Sequence, residues 1–586
     1  MVPTSPGASA PSTPPPSEPL APEVRAALDA AVGAVAARRG AWVGEGVAER
    51  LELLERLRRD TWEAAADLVQ AAVGAKGILS GGPEEAEEWI GGPYAVLRTL
   101  RLLQRAVAEV RRYGAPRLPG RPWTRPDGQV VAPAYPTDVW DRLTLPGYRA
   151  EVWMDPAVTR EALTDTQAVA YHAKRHGAGP GEVALVLGAG NVSSIGPVDA
   201  LYQLFVEDRV VVFKTHPVNP WVGDFVERAF AALIAAGYLR VVRGGAAEGA
   251  YLSEHPEVAA IHVTGSHRTH DAIVFGTGPE GVSRKAAGAP RNPRVVTSEL
   301  GNVTPVIVVP GPWSEADLEI QAVNIASGLV HNAGFNCVSH RLVVQRAGWR
   351  HRAALLDAIR RRLALVPTRL AYYPGAAERH AAYAAAHPEL EELGDPAEGE
   401  LPWSLIPGID PHAEADPCLR EEAFCGLMAE TALAAPDTES FLAEATRFCN
   451  EAVWGSLAVT LLVHPGSLED PAVAAALDEA VAGLRYGTVV INHFPGLAYA
   501  LCSTPWGAAP GHTPEDIQSG RGVVHNTYMF SRPQKTVVRG PFAPTLSPPW
   551  WIGHGRALEM ARRLTAFEAR PSVTRYLRVA RAALRG

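Results

Sequence analysis

The feature that most constrains this chain is a change of texture near residue 160. Beyond it, short and nearly continuous apolar runs rich in β-branched residues recur: EVALVLGAG, RVVVFKTHP, LRVVRGG, VAAIHVTGS and TPVIVVPG. Helix-like segments such as VGDFVERAFAALIAAG lie between them. Runs that are apolar on both faces are strands buried on both sides, and strands alternating with helices mean βαβ units around a parallel sheet. The expected fold is therefore α/β, with a Rossmann-type nucleotide-binding domain over 23–310. A second set of strand-like runs, LVVQRAG, SLAVTLLVHP and GTVVINHF, predicts another α/β domain over 311–510.

The flanks read differently. Apolar residues at helical spacing predict helices over 23–76 and again in PYAVLRTLRLLQRAVAEVRRYG. PGRPWTRPDGQVVAPAYP reads as a loop and GYRAEVWMDP as an extended or hairpin element. Residues 1–22 hold eight prolines and no apolar block, which predicts a disordered leader and not a secretory signal. Residues 511–545 form a return segment, and 546–586 form a basic helical extension that opens SPPWWIGHGR. That extension is expected to pack on its own protein or a sister subunit in preference to lying on an anionic membrane or capping a substrate tunnel.

Composition removes some classes. A net charge of −8 over 586 residues leaves no overall nucleic-acid footprint. No uninterrupted apolar run is long enough to span a bilayer. The 5 cysteines form no CxxC spacing, so neither a disulfide framework nor a metal site is expected, and a cytoplasmic setting is.

One cysteine needs explaining. Cys337 sits in HNAGFNCVSH, after a helix-like run and among glycine, asparagine and serine. As a nucleophile it needs a base, an oxyanion donor and a cofactor site. Glu299, between two strand-like runs, reads either as a turn residue or as a general base. Asn191, after LGAG, reads as a turn residue or as an oxyanion donor. Lys214 ends a strand at the ligand-binding edge of the sheet, and Gly265 and Ser266 open a helix where backbone N–H groups suit a phosphate. GTGPEG at 276–281 matches a dinucleotide fingerprint by letter, but it follows a helix-like stretch and reads as a surface loop.

Together these motifs resemble the aldehyde dehydrogenase superfamily over roughly residues 25 to 545. LGAGNVSSIG, VVVFKTHP, VTGS, SELGN, HNAGFNC, EEAF and LRYGTVVIN stand in the family's order, and Asn191 and Lys214 are 214 − 191 = 23 apart, as the family has them. The resemblance implies Cys337 as nucleophile, Glu299 as the base that activates water, and the Asn191 amide as oxyanion donor. It implies Lys214, Gly265, Ser266, Glu422 and Phe424 as contacts of NAD or NADP, and a small-molecule aldehyde as substrate. RPQKTVVRGPF resembles the family's subunit-joining strand, which with a hairpin near 136–156 implies a homodimer or homotetramer.

There are departures. Gly190 replaces an aromatic residue, Ser193 a proline, and Asn302 a glycine. Pro217 stands where an acid usually disfavours a 2′-phosphate. The alternatives to a hydrolytic dehydrogenase are a CoA-linked acylating enzyme, which needs no water-activating base, and a non-catalytic protein on the same fold. Phe335, His493 and Phe494 are candidates for the pocket wall.

Overall fold

The computed structural model describes residues 20–174 and 179–585. Most of the leader lies outside them, and Pro22 already belongs to the first turn of the helix Pro22–Ala36. The long helix Val47–Ala75 turns Leu54, Leu57, Ala64 and Leu68 inward at helical spacing. These residues share a core with Val183, Leu185 and Val211 of the first sheet. Fully burying each such side chain is worth about 1.5–3 kcal/mol, so this face fixes the helix on the sheet.

The first sheet has six strands in the spatial order Gly520–Arg521, Val295–Leu300, Val258–Gly265, Val183–Leu187, Val210–Lys214, Leu239–Val242. All neighbours are parallel except the short Gly520–Arg521. The chain runs outward in one direction from Val183–Leu187, then returns to build on its other side. A crevice therefore opens at the carboxyl ends of the two central strands, where Gly188 and Gly265 stand.

The second sheet has eleven strands, and it corrects two expectations. Thr304–Val308, which the sequence reading placed in the nucleotide-binding domain, lies at its centre between Ala458–Leu462 and His340–Arg346. Its apolar run suits either sheet, so hydropathy could not assign it. Val130–Tyr135, read as a loop because of its prolines, is a strand paired antiparallel with Arg149–Met154. Burial of Val130, Val131, Ala132 and Ala134 outweighs the ladder bond that Pro133 cannot donate. The hairpin is thus 130–154, not 136–156.

Pro533–Arg539, the expected subunit-joining strand, pairs on both sides within this chain: Thr536 faces Val152 on one side and Thr488 on the other. Neither edge is open to another subunit. GTGPEG is not a loop throughout, because a helix starts at Gly278 and runs to Ala286, with its proline in the first turn where proline is tolerated.

The C-terminal extension folds back as helices Ala557–Ala569 and Val573–Ala583. The first buries Met560, Ala561, Leu564 and Phe567 against the chain's own N-terminal helices. Its Glu568 accepts from Arg98 at 2.8 Å, and Arg98 also grips Asp141 inside the hairpin at 2.9 Å. Among the described residues, no helix is long and apolar enough to cross a membrane.

Candidate active site

The helix Glu315–Val330 opens on a capping box between Ser314 and Asp317, which fixes its start. It is followed by three consecutive left-handed residues, Asn332, Ala333 and Gly334, at φ 54°, 55° and 79°. Asparagine and glycine tolerate this region, while Ala333 costs about 1–2 kcal/mol there. A side chain on Gly334 would come within 2.7 Å of the Cys425 backbone, so only glycine fits. The turn delivers Cys337 with Sγ 3.1 Å from Glu299 Oε1.

A buried polar network holds that turn. Lys76 pairs with Glu88 at 2.6 Å and donates to Asn191 O and to Asn332 Oδ1, each at 2.9 Å. Asn332 Nδ2 donates to Asn191 O at 3.0 Å. The Asn191 and Cys337 loops are therefore tied to one another through a lysine from the N-terminal helices. Arg341 donates to the carbonyls of Gly334 and Cys425, which joins the nucleophile turn to the Glu422–Phe424 segment.

Glu299 lies on the strand Val295–Leu300, opposite Thr264 and Gly520, not in the loop expected for it. Burial pushes its carboxyl up to about 7, the Asp199 carboxylate adds to this, and the Cys337 thiol and Trp506 indole oppose it. Its Oε2 is buried without a partner. Burial, and then the Glu299 and Glu422 carboxylates, raise the Cys337 thiol well above its ordinary range. The resting pair is thus a neutral thiol donating to a carboxyl that titrates near neutrality. Asn191 Nδ2 donates to Phe335 O at 2.8 Å, and an amide has a second N–H to give.

The cofactor candidates gather at the mouth of the first sheet. Lys214 Nζ donates to Gly244 O at 2.7 Å and packs beside Gly249, and burial lowers its pKa to about 8. Gly265 ends its strand, and Ser266 caps the helix His267–Val274 by accepting from Thr269 N at 3.2 Å. Glu422 abuts Gly301; burial raises it to about 7, and its Oε1 is buried without a partner. Phe424 stands 4.9 Å from Tyr373, centroid to centroid. An unpartnered carboxylate oxygen at a cavity edge fits a ribose hydroxyl, so these residues suit a nicotinamide dinucleotide.

Two cavities meet at the cysteine. One, of about 940 Å³, is lined by Lys214, Ser266, Glu422 and Phe424. The other, of about 1390 Å³, is walled by Tyr94, Tyr148, Phe494 and the extension's Trp550 and Trp551. Among the described residues, only Asn191, Ile195, Glu299 and Cys337 line both. Of the aromatic candidates, Phe494 lines the larger cavity. Phe335 is core, packed against Tyr372 and Tyr373, and His493 is buried and bonded to Pro541 O. GTGPEG contributes Gly276 and Thr277 to the rim of the smaller cavity.

Sequence reasoning missed Lys76, Glu88, Arg341 and His216. Lys76 ends a helix far upstream and carries no motif. His216 lies inside the motif VVVFKTHP, which does not name its partner. Its imidazole lies where a side chain on Gly190 would be, 2.5 Å from the ideal Cβ position.

The fold and the site together make a doubly wound α/β sheet whose crevice faces a cysteine paired with a glutamate. The family model described as "Aldehyde dehydrogenase family" matches residues 183–364. An N-succinylglutamate 5-semialdehyde dehydrogenase from Sphingopyxis alaskensis is 29% identical over 160 residues, covering 27% of this chain and 30% of that protein. Another from Ectopseudomonas mendocina is 27% identical over 189 residues, covering 32% and 34%. The chain thus spans about a third of the length of the curated relatives it matches. An NAD-dependent aldehyde dehydrogenase from Sinorhizobium meliloti superposes with a TM-score of 0.57 at 18% identity, covering 89% of this chain and 88% of that one. An NADP-dependent glyceraldehyde-3-phosphate dehydrogenase from Bacillus halodurans, complexed with NADP, gives 0.54 at 16%, covering 88% and 91%. Residues 183–364 thus match the aldehyde dehydrogenase family, and the chain as a whole shares the fold of these solved structures.

Proposed function

We propose that this chain oxidises an aldehyde to a carboxylic acid with NAD or NADP, through Cys337. The observation that carries the reading is the meeting of the two cavities at Cys337, Glu299, Asn191 and Ile195. A nucleotide on one side and an aldehyde on the other touch only there.

The residues assign the steps. Cys337 passes its proton to Glu299 across 3.1 Å while sulfur bonds the aldehyde carbon. The free Asn191 N–H meets the oxygen as it becomes negative; one such donor is worth about 2.7–4 kcal/mol. A bound nicotinamide supplies the hydride acceptor that turns the adduct into a thioester. Glu299, having shed the thiol's proton to solvent, takes a proton from water as the water oxygen bonds the acyl carbon. The C–S bond breaks, the acid leaves, and the thiol is restored.

The larger cavity favours an uncharged aldehyde with apolar bulk. Its wall is aromatic and aliphatic, and its cations Lys76, Arg369 and Arg556 are each paired with a glutamate. Pro217 leaves no acid three residues after Lys214, while the Glu248 carboxylate still acts on that lysine, which supports use of either NADP or NAD. The Glu299–Cys337 contact favours water over CoA as the final acceptor.

The test is cofactor reduction by the full chain over a panel of aliphatic and aromatic aldehydes, with NAD or NADP, each with and without CoA. CoA-independent reduction that disappears in Cys337→Ala is the expected result. Reduction only with CoA would make the acylating enzyme the answer. Biological activity unchanged in Cys337→Ala would mean a non-catalytic protein.

A further inference from the structure

A second cluster of reactive side chains lies outside both cavities. His387 follows the helix Ala376–Ala386, and Asp416 and Cys418 stand at the start of the short helix Pro417–Arg420. His387 Nε2 is 3.2 Å from Asp416 Oδ1 and 3.5 Å from Cys418 Sγ, and one ligand atom from each of the three lies within 4.8 Å of the others. The sequence reading excluded a metal because no ligands share a short spacing. The fold closes a gap of about thirty residues that spacing could not reveal.

The distances have a specific meaning. Around a tetrahedral zinc ion with ordinary bond lengths, nitrogen and carboxylate oxygen ligands stand about 3.4 Å apart, and nitrogen and thiolate sulfur about 3.6 Å apart. The observed separations match both. The other imidazole nitrogen is also set for ligation: His387 Nδ1 lies 2.9 Å from Glu389 Oε1. A carboxylate there holds Nδ1–H and leaves the Nε2 lone pair for a metal, the arrangement usual around metal-bound histidines. Cys418 and His387 are buried, whereas the Glu389 side chain is 49% exposed.

We propose that His387, Asp416 and Cys418 form a binding site for one divalent transition-metal ion of the zinc class, with Glu389 orienting the histidine. Binding forms Nε2–metal, carboxylate–metal and thiolate–metal bonds and releases the Cys418 thiol proton and any proton on Nε2; nothing is oxidised. A fourth position is left for water. Cys418 precedes Glu422 by 422 − 418 = 4 residues, so the ion would tether the segment carrying Glu422 and Phe424 to the helix Ala376–Ala386.

The test is a cobalt(II) titration of the full chain carrying Cys337→Ser, which removes the one cysteine that is not fully buried among the described residues. The expected result is one equivalent bound, with a thiolate-to-cobalt charge-transfer band and displacement by zinc. Cys418→Ser added to that background should abolish the band. Glu389→Gln, a change at an exposed position that spares the ligands, should weaken binding by about 10–100-fold. No saturable cobalt binding in Cys337→Ser, or a band that survives Cys418→Ser, would overturn the proposal and leave the three side chains as a hydrogen-bonded cluster.

Discussion

Glu299 can serve both halves of the proposed reaction only if its carboxyl changes charge within the working pH range. With burial raising it to about 7, the fraction able to accept a proton grows as pH rises through neutrality. The expected kcat profile therefore climbs with an inflection near 7. Glu299→Gln should lower kcat about 10²–10⁴-fold and erase the inflection. Because Glu299 also takes the Cys337 proton in the first step, the early burst of reduced cofactor should slow in that variant along with the steady state. A wild-type profile that is flat from pH 6 to 8 would remove Glu299 from the base role. A neighbouring pair is testable in the same way. Gly190 leaves room for the His216 imidazole, which accepts from Val218 N at 3.2 Å. Gly190→Ala should push the ring out and cost about 1–3 kcal/mol in urea unfolding. Adding His216→Ala should recover most of that loss. Strictly additive losses would mean that the two residues do not share the space.

The elements that carry the site were legible wherever a strand ended in a recognisable motif. Asn191, Lys214, Ser266 and Cys337 all sit at ends of strands or helices, and the apolar runs beside them marked those ends. What could not be read was the pairing between distant elements. Lys76 belongs to the helix Val47–Ala75 only as its C-cap, yet it meets Glu88, Asn191 and Asn332 in one buried knot. No periodicity encodes such a meeting. The same limit sent Thr304–Val308 to the wrong sheet and left Val130–Tyr135 a loop, because sheet membership depends on which other strands pair with a run, here His340–Arg346 and Ala458–Leu462 for the first and Arg149–Met154 for the second. The knot gives a prediction at this scale. Lys76→Met leaves the Glu88 carboxylate buried and unpaired and should cost about 3–5 kcal/mol in urea unfolding. Lys76→Met with Glu88→Leu removes the stranded charge and should restore much of the stability. Activity should stay low in the double variant, since Asn191 O and Asn332 Oδ1 have lost the Lys76 ammonium and keep only the neutral Tyr372 hydroxyl as a shared donor. Full recovery of activity would show that the knot serves only the fold.

At the scale of the whole molecule, the expectation of a dimer or tetramer meets a sheet that is already complete at the relevant place. The motif that suggested subunit joining, RPQKTVVRGPF, has its strand filled on both edges by Arg149–Met154 and Thr488–Ile491 of the same chain. A strand with no free N–H or C=O edge cannot extend a partner's sheet. The C-terminal extension also holds the hairpin. Arg98 and Arg101 bind Glu568, Arg98 holds Asp141, and Trp140 packs against Phe567 and Tyr576, so the extension fastens the hairpin to its own subunit. Light scattering of the full chain, at 62.4 kDa per subunit, should therefore show no dimer that depends on pairing along this strand. Glu568→Ala leaves Arg98 and Arg101 short of a buried partner and should loosen that attachment. The hairpin and Pro533–Arg539 could then exchange between copies, since swapping an identical element needs no new interface. The variant is expected to show a dimer fraction that grows with protein concentration. A wild-type chain that is already dimeric at low micromolar concentration would mean that subunits join through some other surface, because this strand has no edge left to offer.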